Sequence, residues 1–344
     1  MAEAKNLNVS GLPDPATCAL DEIDVSNSAL YEHELWAPYF ERLRAEDPVH
    51  YTAASPFGAY WSITKFDDIK AVDMNHQAFS SKPVIVIGDP PEDFTLPQFI
   101  AMDPPRHDSQ RKAVAPAVAP RQLANLEPLI RQRVCAILDD LPVGEEFDWV
   151  SRVSIELTTQ MLATLFDFPF EDRHLLPHWS DVATSSPELV GASNMTDEER
   201  RAELMQCLEY FNGLWAEREG RPGNDFVSMM ANGEAFRGMP PLEYLGNLIL
   251  LIVGGNDTTR NSITGGVYAL NRWPEEYEKL RRDPSLIPNM VAEIIRWQTP
   301  LAHMRRNCVA DTQVGEKTIR AGDKVVMWYL SGNGTRTTSR TPTG

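Results

Sequence analysis

His107 and Arg111 follow the loop Asp103-Pro104-Pro105 and lie four residues apart, so on a helix they stack on one face, one turn from each other. Two side chains that can both carry positive charge suit a ligand bearing carboxylates or phosphates. The plain alternative is a solvated first turn with Asp103 as its N-cap. A second group, Gly254-Gly255-Asn256-Asp257-Thr258-Thr259, sits inside the most apolar helical stretch of the chain. Each glycine there costs about 1 kcal/mol relative to alanine, and an acid beside two alcohols on a buried helix requires polar partners. Either something approaches that backbone closely, or the glycines permit tight helix crossing while Thr258 and Thr259 bond back to carbonyls four residues earlier. A third group, Glu293-Ile294-Ile295-Arg296, is an i,i+3 ion pair that on an open face is worth about 0.2–0.5 kcal/mol. Its flanks Met290, Val291, Ile294, Ile295 and Trp297 leave little room for a solvated face. A buried guanidinium would then have to satisfy its donors on carboxylate or carbonyl oxygens; taken singly, the motif is nevertheless better read as an exposed surface pair.

Elements of two kinds must position these groups. The spacing predicts a helix over 37–46, then a hairpin in which VHYT and AYWSIT flank Ser55-Pro56-Phe57-Gly58. From Arg106 to about residue 235 the apolar period is helical, punctuated by Pro120, Pro142 with Gly144, Pro169, Pro187 and Arg221-Pro222-Gly223-Asn224. Leu242 to Arg272 reads as a long central helix, and two further helices split by Asp283-Pro284 run to Gln298. After Pro300 the period turns to strand. The expected fold is therefore mainly α, of the α+β kind, with a small β part drawn from two distant segments. Composition narrows the function classes. The 344 residues are 42% apolar, enough for a large core, and 32 basic against 49 acidic side chains give a net charge of −17, which disfavours nucleic-acid binding. The longest aliphatic run, Leu248 to Val253, is far short of the roughly 20 residues of a membrane span. The start MAEAKNLN has neither a basic nor an apolar character, so a cytoplasmic protein without a secretory signal is expected. Cys18, Cys135, Cys207 and Cys308 form no C-x-x-C pair, which argues against a disulfide framework or a zinc ribbon.

In this order and context, D-P-P-x-H-x-x-x-R, G-G-x-D-T-T, E-x-x-R and P-L-A-H-M-R-R resemble the cytochrome P-450 family over roughly residues 36–333. The stretches LIVGGNDTTRNSITGG and TPLAHMRR are most similar to the soluble bacterial class that hydroxylates terminal carbons of alkanes and fatty acids. The resemblance implies haem b as cofactor and insertion of one oxygen atom from O2 into an unactivated C–H bond of a small hydrophobic substrate. It implies that Asp257 and Thr258 deliver protons, with a local widening of the helix beside them, and that Gly254 and Gly255 leave bare backbone against haem and substrate. It implies that His107 and Arg111, with Arg306 (Arg305 being the alternative), meet the haem propionates, and that Glu293 and Arg296 are structural. It also implies a ferredoxin and its reductase as electron donors, docking on a local basic patch to which Arg111, Arg131 and Arg133 are candidate contributors.

One departure from the family bears on activity. Its thiolate ligand is a cysteine on a loop beyond the β segment, whereas no cysteine of this sequence follows Cys308, and Cys308 occupies a slot where relatives carry a small residue. The expectation is a partial domain, with residues 1–35 as an extended arm, 36–333 as the family domain and 334–344 as a frameshifted tail. The resemblance implies the continuation Asn-Arg-Asp where this chain reads Asn333-Gly334-Thr335, and codons can be written for this tail in which one base inserted after Asn333 gives that continuation, as a one-base deletion would require. The chain as written is then expected to be inactive. Two other readings are an inactive fragment without haem, and a Mg-dependent all-α terpene cyclase built on Asp139-Asp140 and Asn256-Asp257. The cyclase spacing fails at Arg260 and Thr264.

Overall fold

The computed structural model describes residues 11–90, 93–185 and 195–334. The expectations for the extreme N-terminus and for the 335–344 tail lie outside the described residues. The helices are α1 (Ala29–Glu32), α2 (Trp36–Glu46), α3 (Phe66–Met74), α4 (Arg106–Val114), α5 (Pro120–Asp139), α6 (Glu156–Phe166), α7 (Leu175–Thr184), α8 (Asp197–Arg218), α9 (Phe226–Asn232), α10 (Pro241–Arg272), α11 (Pro274–Arg282), α12 (Ile287–Gln298) and α13 (Tyr329–Asn333). The strands are β1 (Val49–Thr52), β2 (Tyr60–Ile63), β3 (Phe79–Ser80), β4 (Met304–Cys308), β5 (Thr312–Val314), β6 (Lys317–Ile319) and β7 (Lys324–Met327). The chain divides into two compact units, residues 1–89 with 302–344, and residues 90–301.

The first unit holds every described strand. Its five-stranded sheet runs β1-β2-β7-β4-β3, with β2 and β7 parallel and the other pairs antiparallel. The predicted hairpin is present: Val49 faces Ile63 and Thr52 faces Tyr60. Ser55 closes its turn by donating to the Gly58 carbonyl at 2.7 Å, and Gly58 sits at φ +77°, a conformation that suits glycine. The described part of the N-terminal arm is packed down: Ile23, Val25 and Leu30 are buried with Phe40, Leu43, Tyr60 and Trp328. Polar ties add to this, the Tyr60 hydroxyl donating to Asp24 at 2.7 Å and the Arg42 guanidinium to the Cys18 carbonyl at 2.7 Å.

The second unit is helical and is organised around α10. Pro241 opens this 32-residue helix at a position where its missing N–H costs nothing. Leu245, Leu248, Ile249 and Ile252 pack with Leu162 and Phe166 of α6, Trp179 of α7, Phe211 of α8 and Met230 of α9 into one apolar cluster. α12 lies on the glycine pair Gly265-Gly266, where an added Cβ would stand 2.2 Å from Gln298 Oε1 and 2.8 Å from Ile294 Cδ1. Two expectations are corrected. The helix is not widened at Gly254–Thr258: α10 is regular α throughout, and the π-helical turn is at Val150–Ile155, leading into α6. The Thr258 hydroxyl bonds back to the Gly254 carbonyl at 2.8 Å and that of Ser262 to the Thr258 carbonyl at 2.7 Å, neither displacing the ladder. Nor is α12 enclosed by its apolar flanks, for it has no buried residue, and Val291 and Ile295 are 46% and 50% exposed.

Candidate functional site

In the second unit α4 is fastened to α10 by buried polar groups. Glu243, only 3% exposed, accepts from Arg106 and, at 2.7 Å, from Gln110 Nε2. One turn further along α10, Asn247 accepts from the Phe99 amide at 2.8 Å and donates to Gln110 Oε1 at 3.4 Å. These ties fix the face of α4 that carries His107 and Arg111. His107 Nδ1 lies 2.8 Å from the Phe99 carbonyl. A carbonyl only accepts, so Nδ1 carries the hydrogen; Nε2 offers a lone pair on the neutral ring and a donor on the imidazolium. Arg111 is exposed and makes no ion pair among the described residues. A free ring nitrogen and an unpaired guanidinium, one turn apart, form a donor set that fits a dianion such as a porphyrin's two carboxylates. Asp103 does not cap α4; its carbonyl receives the His107 amide at 3.1 Å, and Pro105 holds the N-cap position.

Further along α10, the Asp257 carboxylate is held by Arg260 at 2.8 Å, one turn on. The same Arg260 nitrogen reaches Asp181 of α7 at 3.0 Å. Asn256, fully buried, accepts from the Thr158 hydroxyl at 2.9 Å and stands 3.4 Å from Asp257 Oδ1. Burial pushes the Asp257 carboxyl above the ordinary aspartate value, against the pull of Arg260. An acid so placed can hold a proton closer to neutrality than an exposed aspartate, and Thr258 beside it offers a hydroxyl.

The two glycines have different surroundings. Nothing lies within 4 Å of a Cβ added at Gly254, whereas one at Gly255 would stand 2.7 Å from Leu162 Cδ2. Bare backbone facing open space is therefore confined to Gly254, and the expectation for Gly255 is corrected to a tight helix crossing with α6.

Glu293 and Arg296 form a two-pronged pair, Nε to Oε2 at 2.7 Å and Nη2 to Oε1 at 2.6 Å, on the open face of α12 rather than in a buried one. In the first unit the neighbouring arginines of β4 point apart. Arg305 is buried against the Ile87 and Gly88 carbonyls and pairs with Asp89 at 2.6 Å. Arg306 pairs with Asp73 of α3 at 2.6 Å. Of the other basic candidates, Arg133 is turned onto the Gln160 carbonyl at 2.5 Å and the Thr164 hydroxyl at 2.7 Å, and Arg131 pairs with Glu127 at 3.2 Å. Arg133 is thereby removed from any free basic patch.

Sequence reasoning passed over Glu243, Asn247, Arg260 and Asp181. The first two had a signal, an acid and an amide four residues apart on a helix otherwise apolar on that face. Arg260, at i+3 from Asp257, had a weaker one; Asp181 had none, since its partner comes from a remote helix.

No family model matches the chain. Linalool 8-monooxygenase of Pseudomonas putida is 32% identical over 330 residues, 91% of this chain and 80% of that protein. Methyl-branched lipid omega-hydroxylase of Mycobacterium tuberculosis is 29% identical, with 94% of this chain and 79% of that protein covered. The solved structure of cytochrome P450-153 from Novosphingobium aromaticivorans superposes with a TM-score of 0.86 at 46% identity, covering 93% of this chain and 81% of that one. These relatives share the helix-rich fold with its small sheet and are oxidoreductases, and no helix among the described residues is long and apolar enough to cross a membrane. An acid–alcohol pair on a long helix, a cationic pair on a second and agreement over more than nine-tenths of the length lead to one conclusion: the chain belongs to the cytochrome P450 family.

Proposed function

We propose that this protein's reaction inserts one oxygen atom of O2 into the C–H bond at the terminal carbon of an alkane or fatty chain, the second oxygen leaving as water with two electrons and two protons supplied. Haem b, when bound, supplies the iron at which dioxygen is activated. The observation that carries the reading is Asp257: a partly buried carboxyl with its proton affinity raised, beside the Thr258 hydroxyl and one residue along from the carboxamide of buried Asn256. Arg260 joins it to Asp181, whose side chain is 59% exposed, so the carboxyl is tied by ion pairs to a group open to solvent. His107 and Arg111 are the residues proposed to hold the porphyrin carboxylates. Arg306 is kept as a third candidate on the resemblance alone, since Asp73 already engages it. Gly254 leaves its side of α10 open to a flat or apolar ligand.

Thiolate ligation is proposed to lie outside these 344 residues. Cys207 is fully buried in the apolar core, where burial pushes its thiol far up. Cys308 donates to the Ala310 carbonyl at 3.0 Å inside β4, and burial raises it too. Cys18 packs beside Arg42, and Cys135 sits on the open face of α5. A second substrate reading, a terminal methyl of a branched isoprenoid chain, is favoured by the identity with linalool 8-monooxygenase. A ferredoxin with its reductase is the proposed electron source.

The test is product analysis with the reading frame restored after Asn333. Octane, a medium-chain fatty acid and linalool are each supplied with ferredoxin and reductase, and terminal alcohols are expected. Exclusive attack at internal carbons contradicts the substrate reading, and absence of a haem-thiolate Soret band in the reduced CO complex contradicts the whole.

A further inference from the structure

We propose that Asn247 is a positioning residue that sets both the tautomer and the aim of His107, acting from α10 through the backbone of Phe99. The proposal rests on the reading of His107 as a porphyrin-carboxylate contact and extends it to a residue that touches no ligand.

Nothing in α4 itself fixes the His107 ring. Its one hydrogen bond goes to the Phe99 carbonyl, on a short segment that precedes the helix in sequence. That segment is seated on α10 at two adjacent residues. At Gly246 the backbone of Pro97 lies so close that an added Cβ would stand 2.2 Å from its carbonyl oxygen. At Asn247 the side-chain oxygen takes the Phe99 amide at 2.8 Å. The amide and carbonyl of Phe99 are thus used at once, one gripped by α10 and the other gripping the imidazole. The freedom of Phe99 is further limited because the residue is only 7% exposed, and its ring lies 6.4 Å from the His107 ring.

The rest of the network explains why a carboxamide suits position 247. Asn247 Oδ1 must accept from Phe99, which leaves Nδ2 to donate, and Gln110 Oε1 is there at 3.4 Å with Met239 Sδ at the same distance. Gln110 in turn donates to Glu243 at 2.7 Å, and Arg106 neutralises that buried carboxylate. Both amide oxygens accept, and both amide nitrogens donate, that of Asn247 to two acceptors. Asn247 and Gln110 are 0% and 2% exposed, so water cannot substitute for either partner. An apolar residue at 247 would free the Phe99 amide in a dry site and release the segment that orients the imidazole. The same logic holds for metal-ligating histidines, whose orienting hydrogen-bond partners are worth about 10–100-fold in metal affinity or activity.

The experiment uses the full chain labelled with 15N-histidine. Long-range 1H–15N spectra near pH 8, where an ordinary imidazole is neutral, report the tautomer of each ring, and His107→Gln assigns the signal. Wild type is expected to show His107 almost wholly with hydrogen on Nδ1. Asn247→Ala and Gly246→Ala, each confirmed as folded by its thermal transition, are expected to give averaged tautomers; Asn247→Ser replaces the alanine variant if that one does not fold. In parallel, binding of haemin and of haemin dimethyl ester is followed by tryptophan quenching. The preference for the free acid is expected to fall about tenfold in Asn247→Ala, and the double variant with His107→Ala is expected to lose no more than His107→Ala alone. A His107 ring that stays in the Nδ1–H form in the folded Asn247 and Gly246 variants, or that is already mixed in wild type, overturns the proposal. If His107→Ala leaves the acid-over-ester preference unchanged, the carboxylate reading fails instead, and the tautomer spectra still decide the positioning role.

Discussion

Arg260 reaches back one turn along α10 to hold Asp257 at 2.8 Å, and the same guanidinium nitrogen spans to Asp181 of α7 at 3.0 Å. One cation thus serves two carboxylates with opposite environments, Asp257 at 18% side-chain exposure and Asp181 at 59%. Replacing it leaves the enclosed acid without its counter-charge, which is more costly than losing a surface pair.

Arg260→Leu is expected to destabilise the fold by about 1.5–3 kcal/mol, the range for hydrogen bonds to charged groups. Adding Asp257→Asn should recover part of that loss, because the neutral amide no longer requires a cation. Denaturant unfolding of the two single variants and the double one gives the coupling, and strict additivity would show that the pair does not interact.

The two motif glycines are expected to respond in opposite directions. Gly254→Ala meets open space and removes a helix penalty, so stability should rise by up to about 1 kcal/mol. Gly255→Ala forces the enclosed Leu162 side chain aside and should cost about 1–3 kcal/mol, with Leu162→Val partly restoring it. Thermal unfolding of the four proteins distinguishes this from a symmetric role.

Glu293 gives a pH signature. Its hydrogen bonds from Arg296 hold the carboxyl below the ordinary value of 4.5, so the pair's stabilisation is complete above that value and is lost as pH falls through the lower folded value. Glu293→Gln is expected to cost about 0.5–1 kcal/mol at neutral pH, in line with an exposed pair of good geometry. The difference should shrink steadily below about pH 4.5. A gap that is constant with pH would mean that the two residues act by packing alone.

Much of this was legible in the residues. The long helix was readable because Leu245, Leu248, Ile249 and Ile252 repeat with the helical period, and the hairpin because VHYT and YWSI flank a turn. The pairing of β7 beside β2 was not, since it joins segments more than 250 residues apart and only their β-rich character is local. The division between Gly254 and Gly255 depends on what another helix places beside each, which no spacing reveals. The open face of α12 ran against its apolar composition, because periodicity reports which residues share a face and not whether anything covers it. Asn247 was the readable feature passed over: a carboxamide amid leucines and isoleucines marks a buried polar tie.

The central claim is that the Asp257 carboxyl supplies protons to the oxygen chemistry. Its most direct test is turnover by the frame-restored protein with Asp257 and with Asp257→Asn, measuring product, oxygen consumption and substrate affinity together. Proton delivery by a positioned acid is worth about 10²–10⁴-fold, so product formation should fall by at least about a hundredfold while substrate binding is unchanged. A variant that makes terminal alcohol at the unmodified rate would contradict the account.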